Sequence, residues 1–163
     1  MQTVKVFNSS NNKLPEYSDK GSSGVDLRAN IESIRDNKFL FDAFIKEDCL
    51  IINSGGRALI PTGLHVSFDN NYEIQIRDRS GLALKNGIIV TNGIGTIDAS
   101  YRGDIGVILT NTGSKAFTVH QGDRIAQAVL CPVSKIFWQE VNTIEDLDSS
   151  DRGEGGFGHS GLK

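Results

Sequence analysis

A chain of 163 residues is long enough to bury one independent core, and 38% hydrophobic with 23% charged residues is an ordinary globular balance. A net charge of −3 excludes the general basic field by which proteins bind nucleic acid or anionic membranes, and no apolar run nears the ~20 residues of a membrane span. Glycine is the departure, 18 of 163 residues against an average near ~7%, which implies many turns or backbone held close to a ligand.

In chain order, residues 1–7 alternate polar and apolar and carry no signal-peptide core, and Val4 and Val6 open the first short strand pattern. Residues 24–29 set Asp26 opposite to Val25 and Leu27. Residues 32–53, with Phe39, Phe41, Phe44 and Ile45, fit either a strand or a turn of helix. Period-two alternation then places Leu64, Val66 and Phe68 on one face, followed by Tyr72, Ile74 and Ile76. Residues 80–87 break the rhythm: Ser80 stands at a possible N-cap, helix formers follow, and Asn-Gly ends the run, which predicts one short helix. Strand alternation resumes at Ile105, Val107 and Leu109, at Phe117 and Val119, over 125–130 and over 135–141. From Asn142 the chain is acidic and poor in apolar residues, so 1–141 is expected as the core domain and 142–163 as a flexible arm. Strands this short and frequent indicate an all-β sandwich, jelly roll or barrel.

Cys49 and Cys131 lie 82 positions apart, and His65, His120 and His159 are scattered, so neither a disulfide framework nor a zinc site is indicated. A reducing compartment is expected: the cytoplasm, or the nucleus or host cell for a eukaryotic or viral chain, without secretion.

Several segments carry chemistry-grade residues. Arg79 before Ser80 puts a guanidinium beside a helix N-terminus, either an anion site or a plain cap. The glycines of Asn92-Gly-Ile-Gly95 suit a hairpin with backbone open to a planar base. Asp98 at its rim is placed to orient and deprotonate a water, and Tyr101 to pack on a sugar; a solvated Asp and a core Tyr fit the spacing equally. Asp123 and Arg124 are expected to hold the turn into the 125–130 strand by local hydrogen bonds, leaving Gln127 a sheet-face residue or a phosphate contact. In the arm, Arg152 and its glycines can grip phosphate oxygens and Phe157 offers a flat face to a base, the alternative being a plain Gly-rich tail.

Taken in order, Ser23-Gly-Val-Asp-Leu-Arg-Ala29, Arg79-Ser-Gly-Leu-Ala83, Gly95-Thr-Ile-Asp-Ala-Ser-Tyr-Arg-Gly103, Gly122-Asp-Arg-Ile-Ala-Gln127 and Arg152-Gly-Glu-Gly-Gly-Phe-Gly158 resemble the five motifs of the trimeric dUTPase family. Leu59-Ile-Pro-Thr-Gly-Leu64 also fits, and the resemblance runs from about residue 4 to the C-terminus. It implies an all-β distorted jelly-roll or β-clip barrel with one short helix, assembled as a homotrimer with exchanged C-terminal arms. The implied activity is hydrolysis of dUTP to dUMP and pyrophosphate by in-line attack of water on the α-phosphorus, with Mg²⁺ as cofactor. That reaction supplies dUMP for thymidylate synthesis and keeps uracil out of DNA; no nucleic-acid or membrane partner is implied.

By residue, the resemblance makes Asp98 the general base and gives Tyr101 the exclusion of a 2′-hydroxyl. Asn92, Gly95, Thr96 and Ile97 would surround the uracil. Arg79, Ser80, Gly81 and Gln127 would hold the phosphates. Arg152 would reach the γ-phosphate, with Phe157, Gly158 and Ser160 closing over the nucleotide, and Asp26 would contact Mg²⁺ through water. Three departures stand out: Asp78 where the family often has proline, which adds a negative charge beside the phosphate site; His159 in place of Ser or Thr; and an apparent insertion over 34–48. The rival enzyme is a dCTP deaminase, which shares the fold but lacks the Arg-Gly-x-Gly-Gly-Phe-Gly arm. The rival of another class is a silent interaction protein, disfavoured because Asp98, Tyr101, Arg152 and Phe157 occur together.

Overall fold

Among the described residues, 2–34 and 38–156 of this computed structural model, the alternating segments form eleven strands in three open sheets. Numbered along the chain, β1 (Lys5–Asn8) pairs with β5 (Leu64–Ser67). A four-stranded sheet holds β2 (Val25–Arg28), β11 (Arg124–Pro132), β6 (Tyr72–Arg77) and β8 (Gly95–Ile97), side by side in that order. A five-stranded sheet runs β10 (Phe117–His120), β4 (Cys49–Pro61), β9 (Gly106–Asn111) and β7 (Ile88–Val90), with β3 (Leu40–Lys46) also paired to β4. The alternation works as period two demands: Leu27, Ile76, Ile60, Val107, Val119 and Ile125 turn inward and form one buried cluster.

Two expectations about architecture are corrected. No closed barrel forms, because closure requires every edge strand to find a partner, and β2, β8, β7 and β10 end their sheets. The run 135–141 does not form a strand despite its apolar content, and it leaves Ile136, Phe137 and Trp138 exposed. In the ambiguous stretch 32–53 the described residues form the end of a 3-10 turn, Ile31–Ser33, then β3 and the start of β4, while 35–37 lie outside the described residues.

The single α-helix among the described residues, α1 (Ser80–Asn86), forms where the residues predicted it. Its cap is Arg79, however, whose carbonyl accepts from the N–H groups of Leu82 and Ala83 at 2.9 and 3.0 Å; Ser80 is the first helical residue and makes no cap bond. Gly87 ends the helix at φ 68°, and a β-carbon there would come within 2.6 Å of the Gly113 nitrogen, so this position requires glycine twice over.

The chain divides into two units, Met1–Val133 and Ser134–Lys163. The second has one regular element among its described residues, a 3-10 turn at Ile144–Asp146 closed by a Thr143–Asp146 capping box. Among the described residues, no helix is long and apolar enough to cross a membrane.

Candidate active site

The predicted residues of the first unit gather in two places. The first is a cleft of about 270 Å³ lined by Thr96, Ile97, Asp98, Tyr101 and Asp104, with Leu59 and Ile108 as its apolar wall. Asp98 follows β8 directly and stands exposed. Its carbonyl accepts from the Tyr101 N–H at 3.0 Å, which closes a turn and brings the two side chains to the same opening. Tyr101 donates its hydroxyl to the Asp104 carbonyl at 2.8 Å, so the ring edge is anchored while a face remains open. Asp104 is itself fixed, its Oδ1 accepting from Gly63 N at 2.9 Å and Thr62 N at 3.2 Å.

Three residues with positioning roles here were not singled out from sequence. Arg102 Nη1 donates to the carbonyls of Ala99 (2.6 Å) and Tyr101 (2.7 Å), stapling the turn. Gly103 lies under the tyrosine: a β-carbon would stand 2.4 Å from Tyr101 Oη and 2.6 Å from Cζ. Asp104 supplies the carbonyl that receives the phenol. Their signal was their place inside the Tyr-Arg-Gly-Asp run, which gives order but not direction.

Asn92–Gly95 was expected as a hairpin and is not one. β7 before it belongs to the five-stranded sheet and β8 after it to the four-stranded sheet, so the turn crosses between sheets. Part of its backbone is already engaged, with Gly93 N donating to Val90 O (3.0 Å) and Ile94 N to Asn92 O (2.8 Å). Open backbone is found instead on β8, an edge strand with no strand neighbour beyond it among the described residues. Gly95 lets that strand lie close on β6, where a β-carbon would meet Ile76 Cβ at 3.1 Å.

The second place is cationic. Asp26 on β2 accepts from Arg79 Nε through Oδ1 at 2.9 Å and from Arg124 Nη1 through Oδ2 at 3.1 Å. Arg124 therefore reaches across to another strand and does not serve its own turn; there, Asp123 alone acts locally, accepting from His120 N at 2.8 Å. Arg79 also donates to the Arg124 carbonyl at 2.9 Å. Ser80 and Gly81 stand exposed in the first turn of α1, where backbone N–H groups have no intrahelical partner. Gln127 gives its amide to the Asp78 carbonyl at 2.7 Å. The Asp78 carboxylate accepts from Val90 N, which fixes its direction toward β7. A polar cleft of about 210 Å³ opens beside Asp26 and Gln127, with Ser22 and Ser23 on its wall. A larger one of about 400 Å³ carries Glu32, Glu47 and Asp48, the wrong sign for an anionic ligand.

The two places do not converge. By register, Asp98 lies beyond the Ile97–Ile74 pair, whereas Asp26 pairs with Gln127 and Gln127 with Arg77. Three inter-strand spacings and about four residues along the strands separate Asp98 from Asp26, roughly 20 Å. In the second unit, Arg152 folds its own turn, donating to the carbonyls of Gly155 (2.6 Å) and Gly156 (3.1 Å). Phe157, Gly158, His159 and Ser160 lie outside the described residues.

As a test for metal, no group of three or more His, Cys, Asp or Glu is placed to hold an ion among the described residues. Asp26 has each oxygen facing a guanidinium but keeps acceptor capacity for a water.

A family model described as dUTPase matches residues 35–161. The chain is similar to the deoxyuridine 5'-triphosphate nucleotidohydrolase of Finegoldia magna, 44% identical over 97% of this chain and 98% of that one. It is also similar to the enzyme of the same name from Chlamydia muridarum, 47% identical over 93% of each chain. Among solved structures, a mutant dUTPase of Staphylococcus bacteriophage 80alpha with dUpNHpp superposes with a TM-score of 0.78 at 23% identity, covering 98% of this chain and 99% of that one. A mutant dUTPase from phage phi11 of S. aureus, described with a structural Mg(II) ion, gives 0.70 at 20% identity over 88% and 99%.

Proposed function

The chain belongs to the dUTPase family, and from that membership we infer that it hydrolyses dUTP to dUMP and pyrophosphate. The observation that carries the chemistry is the cleft in which Asp98 and Tyr101 stand together beside the open edge of β8. Uracil pairs with backbone groups at that edge, near Asn92, Gly95, Thr96 and Ile97. The Tyr101 face covers the deoxyribose and leaves no space for a 2′-hydroxyl. Asp98 orients a water toward the α-phosphorus and takes its proton, and pyrophosphate leaves in line.

Arg79, the N–H groups of Ser80 and Gly81, and Gln127 hold the phosphates. Because Asp26, to which Arg79 is bonded, lies roughly 20 Å from Asp98 in one chain, a complete site draws the phosphate-holding group from a neighbouring copy. A homotrimer with three interfacial sites satisfies this, and the exposed Ile136, Phe137 and Trp138 are suited to docking on such a neighbour. Arg152, Phe157, Gly158 and Ser160 then close over the nucleotide and exclude water. If Arg79 turns to phosphate, the Asp26 Oδ1 is released to contact metal-bound water while Oδ2 stays on Arg124.

Mg²⁺ carried by the triphosphate fits this donor set better than a protein-held ion, and when bound it neutralises charge on the phosphate oxygens. The two free cysteines, Cys49 and Cys131, suit the cytoplasm. The experiment is pyrophosphate release from dUTP together with sedimentation equilibrium; a mass of one or two 17.7 kDa chains would refute the homotrimer.

A further inference from the structure

Val90 closes β7, the last strand of the five-stranded sheet, so one side of β7 has no strand partner. The Thr91 N–H points toward β9, donating to Ile108 O at 2.9 Å, and backbone N–H groups alternate sides along a strand; that of Val90 therefore points away from β9. Val90 is 3% exposed, so water does not reach this donor in its place. The acceptor is the Asp78 carboxylate, which comes from the other sheet, in the two-residue link between β6 and α1. Asp78 is held in turn by Gln127, whose amide donates to its carbonyl at 2.7 Å.

One residue thus joins two parts of the proposed site. On its chain side, Asp78 is followed at once by Arg79 and the first turn of α1, the phosphate-holding half. On its side-chain side, it fixes the strand that runs straight into the turn at 91–94 and then β8, the base-reading half. We propose that Asp78 is a positioning residue that sets these halves against each other, acting as a hydrogen-bond acceptor and not as a charge. This rests on the dUTPase reading above, in which the two halves of one chain face different substrate molecules; Asp78 then stands at the joint between adjacent sites.

The test uses the full-length protein with dUTP and Mg²⁺. Asp78→Ala removes the acceptor, and a shift of about 1 Å at either half is expected to lower kcat/KM at least ~10-fold, chiefly as a rise in KM. Asp78→Asn keeps an oxygen where Val90 N–H needs it and is expected to restore most of that loss. A purely structural role would lower thermal stability in both variants while leaving the KM of the folded enzyme unchanged, and that result overturns the proposal. So does an Asn variant as impaired as the Ala variant. Should Asp78→Ala not fold, amide exchange at Val90 decides between the alternatives: slow exchange in both the parent and Asp78→Asn supports the acceptor bond, and fast exchange in either refutes it. Failure of the parent to hydrolyse dUTP would sink the activity assignment and leave the Val90 exchange result standing.

Discussion

Replacing Gly103 by alanine inserts a methyl group beneath Tyr101. The new carbon would lie 2.4 Å from Oη and 2.6 Å from Cζ, whereas ordinary contact begins at 3.4 Å, so the ring must retreat by about 1 Å. Tyr101 is 42% exposed and can swing outward into solvent, so the backbone need not deform. The direct cost is the bond to the Asp104 carbonyl, about 1 kcal/mol for a neutral pair, or a few degrees in Tm. Function suffers more than stability. A 1 Å displacement of a positioning group can lower rates ~10²-fold, and a ring lifted from the sugar no longer blocks a 2′-hydroxyl. Steady-state kcat/KM for dUTP and for UTP should therefore show a large loss with dUTP and a narrowed preference over UTP, at nearly parental Tm. Tyr101→Phe is the control: it loses the anchor but keeps the ring, and should retain most of the discrimination. Parental discrimination in Gly103→Ala would refute the role given to the Tyr101 face.

Asp98→Asn should keep nucleotide affinity while kcat falls ~10²–10⁴-fold, since shape is conserved and basicity is lost; single-turnover hydrolysis above a tenth of the parental rate would count against Asp98 as the base. Gly87→Ala should destabilise the fold by ~2 kcal/mol or more, read by thermal unfolding, because φ 68° disfavours any side chain and the Gly113 backbone cannot move aside. Truncation after Ser150 should leave a folded trimer with little turnover; undiminished hydrolysis would make the arm a spectator.

The local elements were legible because their causes are local. Alternation at Tyr72, Ile74 and Ile76 or at Ile105, Val107 and Leu109 needs only one buried face, and Asn-Gly at 86–87 needs only a left-handed exit. What failed depends on distant partners. Arg124 looks like a turn residue until Asp26, 98 positions earlier, is seen beside it on β2. Ser80 is a good cap by type, yet the Arg79 carbonyl takes the first helical bonds. The crossing at Asn92–Gly95 resembles a hairpin because glycine spacing says nothing about which sheet each flank joins. The run 135–141 has strand composition, but strand formation requires an edge to pair with. Within the candidate site, order along the chain located Asp98, Tyr101, Arg79 and Asp26; their separation on one chain emerged only from strand register.

Product analysis of the parent protein with Mg²⁺ and each of dUTP, dCTP, UTP and dTTP tests the central claim most directly. Uracil and deoxyribose recognition together predict dUMP and pyrophosphate from dUTP, with the other three nucleotides consumed far more slowly. Conversion of dCTP to a deaminated product, or an absence of turnover with dUTP, would contradict the assignment.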